Sequence, residues 1–177
     1  MREENVQLTW KSTLGRAVWG VCEATVFRYS PTVLHCWRRQ LLRAFGARIG
    51  PGAHVYPSVR VWAPWNLEME VESCLGPNVD CYCVSKVVVR SMATVSQYSH
   101  LCTATHDFDD STHPLVARPI EIGRRAWVAA GVFVGPGVSV GEGSVVLARA
   151  TVTKDTEPWM VYGGVPARKL RTRGFRE

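Results

Sequence analysis

The sequence predicts a mainly β protein, a parallel β-solenoid behind a helical N-terminal segment, and three observations carry that prediction. From Ile122 onward every sixth residue (122, 128, 134, 140, 146, 152) is Ile or Val. The fifth residue of each unit is small: Ala126, Val132, Val138, Ser144 and Ala150. A helix spaces apolar residues by three or four and an ordinary strand by two, so a period of six fits neither. It fits a coil in which each sextet is one short strand plus a corner, with roughly 18 residues per turn and the repeated Ile/Val stacked inside. Gly or Ala at the second position suits the corner backbone. The third observation is a long break in register between Leu101 and Ile122. A solenoid that breaks its repeat extrudes a loop there, and such loops carry function more often than the scaffold does.

Taken in order, residues 1–48 differ in composition from the rest and are expected to be helical. Leu14, Val18, Cys22 and Val26 suggest a first helix, which Gly15, Gly20 and the β-branched residues weaken. Ser30-Pro31 is a start signal for a second helix, with Leu34, Trp37, Leu41 and Phe45 as its apolar face and Gly46 as its stop. Arg38, Arg39 and Arg43 form its basic side. We read 1–48 as a cap over the open end of the solenoid, which would otherwise expose an apolar cross-section. The competing reading is a basic amphipathic segment in peripheral contact with a membrane.

Residues 49–165 are expected to coil. Ile49, Val55, Met69, Leu75, Cys81, Val89, Val95 and Leu101 continue the inward series, which slips around Trp62-Ala63-Pro64-Trp65. Several corner positions in this half lack Gly, so its register is legible only by extension from the clean half. The loop spans 103–121, and residues 166–177 read as a basic tail in which Arg173 and Arg176 are solvated.

The 177 residues suffice for one sizeable domain, and a net charge of +6 with a pI near 9.2 makes anionic partners plausible. Met1-Arg-Glu-Glu-Asn is too acidic for a secretory leader, and no apolar run approaches a membrane span. The cytoplasm is therefore expected, and the cysteines at 22, 36, 74, 81, 83 and 102 are expected to be reduced. Cys81-x-Cys83 is too close for a zinc knuckle and no metal site is expected. The basic tail lacks the aromatic-interleaved pattern of a nucleic-acid module, so no nucleic acid is expected.

The loop holds His106, Asp107, Asp109, Asp110 and His113. Histidine beside carboxylates suits a general base, since a carboxylate fixes its tautomer and stabilises the imidazolium. Taken alone, a histidine in a polar loop is more often merely solvated. His35, His54 and His100 read as structural or surface residues, and His113 is a second candidate for substrate contact.

Together, Thr103-Ala104-Thr105-His106-Asp107, the block from Pro119-Ile120-Glu121-Ile122-Gly123, and the ending from Val152-Thr153-Lys154-Asp155 to Gly163-Gly164-Val165-Pro166-Ala167-Arg168 resemble the hexapeptide-repeat acyltransferases. The likeness is continuous from Leu101 to about Arg171. Within the family it is strongest to acetyltransferases of colanic-acid-type exopolysaccharide biosynthesis, helped by the Pro31–Gly50 helix and Trp65-Asn66-Leu67-Glu68. The resemblance implies a left-handed helix of coils; the spacing alone implies only a parallel solenoid, and left-handed crossovers are the exception. It implies an acetyl-CoA-dependent O-acetyltransferase acting on a saccharide or lipid-linked saccharide, with His106 as catalytic base. It also implies a homotrimer whose sites lie between subunits. Ala130, Ala148, Thr153, Lys154, Arg168 and Arg171 match the family's CoA-contacting positions. Asp107, Asp109, His113, Cys83 and Trp127 are weaker candidates for substrate contact. Where relatives carry an Asn or Asp to meet the acceptor, this chain has Gly76 or Cys83. Two alternatives stand beside this reading: an N-acetyltransferase on an amino sugar, and a non-catalytic solenoid scaffold. Retention of His106, Lys154 and Arg168, none needed for coil stacking, argues against the scaffold.

Overall fold

The structure, a computed structural model, describes residues 4–5 and 9–174. A short strand, β1 (Glu4–Asn5), precedes helix α1 (Trp10–Cys22), a π-helical turn (Glu23–Phe27) and helix α2 (His35–Ala44). Five three-stranded coils follow. The first is β2 (Arg48–Ile49), β3 (His54–Val55) and β4 (Arg60–Val61), and the second is β5 (Leu67–Met69), β6 (Cys74–Leu75) and β7 (Asp80–Tyr82). The third, β8 (Val87–Val89), β9 (Thr94–Val95) and β10 (His100–Cys102), ends in a hairpin, β11 (Ala104–His106) and β12 (Leu115–Ala117). The fourth is β13 (Ile120–Ile122), β14 (Trp127–Val128) and β15 (Phe133–Val134), and the fifth β16 (Ser139–Val140), β17 (Val145–Val146) and β18 (Thr151–Val152). A partial sixth supplies β19 (Met160–Gly163), on which β20 (Arg168–Thr172) folds back antiparallel.

Strands from successive coils pair in parallel into three faces. The first face is β2-β5-β8-β13-β16, the second β3-β6-β9-β14-β17-β19, and the third β4-β7-β10-β15-β18. The sixfold series points inward as expected: Val55, Leu75, Cys81, Val95, Leu101, Ile122, Val128, Val134 and Val146 are fully buried. The small fifth residues Ala126, Val132, Ser144 and Ala150 fill the narrow space between them. At the second position a side chain is impossible in places: a Cβ on Gly123 would lie 2.6 Å from the Val140 carbonyl oxygen. The fold class expected from the repeat is thus the fold observed.

The helices close the first coil, and they do so through hydrogen bonds as well as apolar contact. Among the described residues no strand lies beside the outer edge of β2, β3 and β4, so its polar groups need other partners. Arg43 donates to the Ile49 carbonyl, Arg39 to that of Ala53 and Arg38 Nε to that of Val55. Trp19 Nε1 donates to the Val61 carbonyl at 2.7 Å, and Glu23 Oε1 accepts the Val61 N–H at 2.7 Å. Burial pushes the Glu23 carboxyl up.

Four expectations about this segment need correction. Helix α2 begins at His35 rather than Pro31, because the Ser30 hydroxyl donates back to Phe27 and closes the preceding turn. Its inward side is Arg38 and Leu42, both fully buried, whereas Leu34 and Trp37 remain exposed and Leu41 and Phe45 are half-buried. Arg38 is not a surface charge; its guanidinium also donates to Ser30 Oγ (2.7 Å) and the Pro31 carbonyl (2.9 Å). In α1 the stripe Leu14–Val18 faces outward, and Trp19 and Phe27 of the following turn are the buried residues. The stop at Gly46 is observed, with φ +90°.

Residues 168–172 are a paired strand, and Arg173 Nη1 donates to the carbonyls of Arg125 (3.0 Å) and Gly143 (2.8 Å), so Arg173 is docked and not simply solvated. Arg176 lies outside the described residues. All six cysteines are free. Among the described residues no helix is long and apolar enough to cross a membrane.

Candidate active site

The break in register is a hairpin that leaves the solenoid at the corner between the third and first faces. Its foot is fixed by Thr103, which is buried: the hydroxyl donates to the Tyr82 carbonyl at 2.8 Å and accepts the Ser85 N–H at 3.0 Å. The Arg118 N–H closes the base onto the Thr103 carbonyl, and β1 adds a third strand beside β12. His106 ends β11, exposed, with Nδ1 2.7 Å from the carbonyl oxygen of His113. A carbonyl oxygen only accepts, so Nδ1 carries the proton and Nε2 presents a lone pair. The tautomer is therefore fixed by the backbone of His113, not by a carboxylate as the sequence suggested.

The carboxylates order the loop instead. Asp107 Oδ1 accepts the Asp109 N–H at 3.1 Å, and Asp110 Oδ1 accepts the N–H (2.8 Å) and hydroxyl (2.7 Å) of Thr112. The Thr112 bonds hold the Asp110 carboxyl below its usual range. A cavity of about 400 Å³ opens beside His106, lined by Thr105, Asp107, Phe108, Asp109, Val116, Arg118 and Pro136. Phe108 and Arg118 belong to the loop itself, whereas Pro136 carries no signal in the sequence, because only the fold brings the next coil's corner under the hairpin.

Ala130 and Ala148 sit on a different edge. Each occupies the third place of a sextet at the corner between the second and third faces, one coil apart, with the Arg149 N–H donating to the Ala130 carbonyl at 2.9 Å. The neighbouring amides are used: Ala129 N–H goes to Val146, Gly131 N–H to Gln97, and Leu147 N–H to Tyr162. The N–H groups of Ala130 and Ala148 have no acceptor among the described residues. Pro51, Pro57, Pro77 and Pro136 fill the equivalent place elsewhere, as a position without a coil hydrogen bond permits. The corner thus presents two outward amide donors with little side chain in front of them.

Thr153 and Lys154 follow β18 directly, and Arg168 and Arg171 lie on β20; all four are exposed. The segment before Arg168 returns to the same corner as Ala148, where Ala167 N–H donates to the Thr151 carbonyl at 2.8 Å. Trp127 lies half-exposed on the second face, its Nε1 donating to Ser96 Oγ at 2.9 Å. Within one chain it does not meet the hairpin. Cys83 is a correction: it is fully buried, its Sγ bonded to both N–H and carbonyl of Ala63 at 3.3 Å, and offers nothing to an acceptor.

A second cavity, about 650 Å³, runs between α1 and the outside of the third face and reaches Cys102 at the foot of the hairpin. Trp62 and Tyr82 meet edge to face with centroids 5.0 Å apart, and the Arg16 guanidinium lies 4.7 Å from the Trp62 ring. Asp80 and Glu23 supply acceptors. Arg16 Nε and His100 Nε2 are buried without a hydrogen-bond partner. His100, read from sequence as structural or surface, is a lining residue here.

No family model matches the chain. It is 40% identical over 156 residues to WcaF of Escherichia coli K12, named provisionally as a colanic acid biosynthesis acetyltransferase, covering 88% of this chain and 86% of the relative. It is 31% identical over 146 residues to the galactoside O-acetyltransferase of the same organism, covering 79% and 70%. In fold it matches a hexapeptide-repeat acetyltransferase from Vibrio cholerae solved in complex with acetyl-CoA, with TM-score 0.84, 21% identity and coverage of 94% and 91%.

Proposed function

The chain belongs to the hexapeptide-repeat acetyltransferases, and from that premise we propose that it moves an acetyl group from acetyl-CoA to a saccharide hydroxyl in exopolysaccharide or related glycan synthesis. His106 Nε2 takes the proton of the acceptor hydroxyl as that oxygen attacks the thioester carbonyl. An alcohol ionises little at neutral pH, so a positioned base is worth on the order of 10²–10⁴ in rate. The Ala130 N–H meets the oxyanion of the tetrahedral intermediate, and the Ala148 N–H holds the pantetheine arm. The C–S bond then breaks, and the departing thiolate receives the proton from His106. Thr153, Lys154, Arg168 and Arg171 hold the nucleotide end, where the phosphates need cations. The groove of Trp62, Tyr82, Arg16 and Asp80 receives the acceptor, and Asp107, Asp109 and His113 approach it from the hairpin.

The observation that carries this reading is a separation. His106 rises from the corner between the third and first faces, and the two free amides lie on the corner between the second and third. One chain therefore presents both halves of a site on different edges. We read this as a homotrimer in which the hairpin of one subunit reaches the amide edge of the next. Two inactive variants test it: His106→Ala, lacking the base, and Ala130→Pro, lacking the donor. Mixed in equal amounts and reassembled, shared sites should regain roughly a quarter of full activity, since a site works when an intact hairpin meets an intact edge. No recovery from the mixture would refute the shared site. Full activity in His106→Ala alone would remove the base.

A further inference from the structure

Helix α1 has two apolar sides, and coil packing uses only one. Trp19, and Phe27 of the following turn, are buried, with Arg16 and Glu23 turned into the groove. On the other side Trp10, Leu14, Val18 and Val21 fall in one stripe at helical spacing and are 71%, 58%, 54% and 68% exposed. A helix apolar all round is ordinarily buried all round, and a contiguous apolar surface of this kind marks an interaction site. The stripe continues toward α2, where the half-exposed Trp37 donates its Nε1 to the Val26 carbonyl at 3.1 Å.

The charge around that stripe is one-sided. Of the cations between Thr9 and Ala47, Arg16 and Arg38 are turned inward and Arg39 and Arg43 reach the coil edge, and the single acid is Glu23. That acid faces inward, bonded to the Val61 N–H, while Arg28 and Arg43 are exposed. Two copies of such a face would bring like charges together. An anionic surface complements it, and apolar side chains with Trp among Arg is the composition of helices lying in a lipid interface.

We propose that α1 docks the enzyme on an anionic lipid bilayer, Trp10, Leu14, Val18 and Val21 entering the interface and Arg28 meeting headgroups. The two helical roles weighed from the sequence are thereby divided: α2 caps the coil, and the outward face of α1 meets lipid.

Co-sedimentation of the full chain with vesicles tests this, comparing phosphatidylcholine alone with phosphatidylcholine containing phosphatidylglycerol. The expected result is binding to the anionic vesicles that weakens with salt. Arg28→Glu should reduce the partition coefficient about five-fold or more, from roughly 1 kcal/mol per surface charge. Leu14→Glu combined with Val18→Glu should abolish binding with an unchanged melting temperature, since both side chains are already in water. Wild type that ignores anionic vesicles, or a double variant that binds as well as wild type, overturns the proposal. So does a double variant whose main change, by light scattering without lipid, is a smaller assembly, which would make the stripe an interface between copies.

Discussion

Replacing Ala130 by proline removes one hydrogen atom that the coil does not use. The N–H has no acceptor among the described residues, while its neighbours Ala129 and Gly131 keep their bonds to Val146 and Gln97. Proline also restricts the preceding residue to extended backbone. Proline already stands at the same place of other sextets, Pro57 and Pro77 at this corner and Pro51 and Pro136 at the other two. The stability change should therefore stay within about 0.5 kcal/mol, as for a surface change that breaks no contact. Catalysis should fall much further, because loss of one oxyanion donor costs roughly 10²–10³ in turnover, about 2.7–4 kcal/mol. Ala148→Pro, removing a ground-state contact, should raise the KM for acetyl-CoA by about 2–13-fold, from roughly 0.5–1.5 kcal/mol for one neutral hydrogen bond. Gly131→Pro is the contrasting control: its N–H is bonded and its φ is +67°, which proline cannot adopt, so it should fail to fold. Thiol release by CoA with a thermal melt on each variant gives both readouts. A folded Ala130→Pro enzyme with near-normal turnover would refute the donor role, and a collapsed one would refute the claim that this amide is spare.

Alanine at Lys154, Arg168 and Arg171 should weaken binding of acetyl-CoA more than of its 3′-dephospho form, with the gap shrinking as salt rises; equal calorimetric losses for both forms would leave the cluster a solvated surface. Arg38→Ala should cost about 3 kcal/mol by denaturant titration, since it strips charged donors from the buried Val55 carbonyl and the part-buried Pro31 carbonyl, and Arg38→Lys should not restore it; a loss under 1 kcal/mol would refute this. Arg90 and Ser91 hold the Glu70 carboxyl below its usual range, so the folded state binds fewer protons there and that stability is present above about pH 4.3 and lost as pH falls through the folded value. Glu70→Gln should accordingly flatten the acid limb of a stability–pH curve, and an unchanged limb would show the contact to be inert. Met92 holds φ +61°, a conformation that costs a non-glycine residue roughly 1–2 kcal/mol, so Met92→Gly should raise the melting temperature despite its chain-entropy cost; a fall would mean that the side chain makes contacts worth more.

The repeat itself was legible because it is a local rule. Every sextet asks the same of its first and fifth residues, so Ile122 to Val152 declare an inward series without reference to the rest of the chain. The early coils declare it less clearly because Glu72, Asn78, Met92 and Tyr98 hold positive φ at corners where Gly52, Gly131, Gly137 and Gly143 do so elsewhere. Parallel pairing across coils fixes those corners whatever residue occupies them. His106 was visible as a motif, but the group that sets its tautomer is a main-chain carbonyl seven residues away, and a carbonyl has no sequence signature. The same holds for Arg38, Arg39 and Arg43: composition shows three cations, and only the position of the open coil edge makes them donors to Val55, Ala53 and Ile49. Helical periodicity found apolar residues in α1 but could not say which side of it the solenoid covers. The free amides of Ala130 and Ala148 and the separation of His106 from them belong to tertiary structure alone, because they depend on which corner of a three-faced prism each residue occupies.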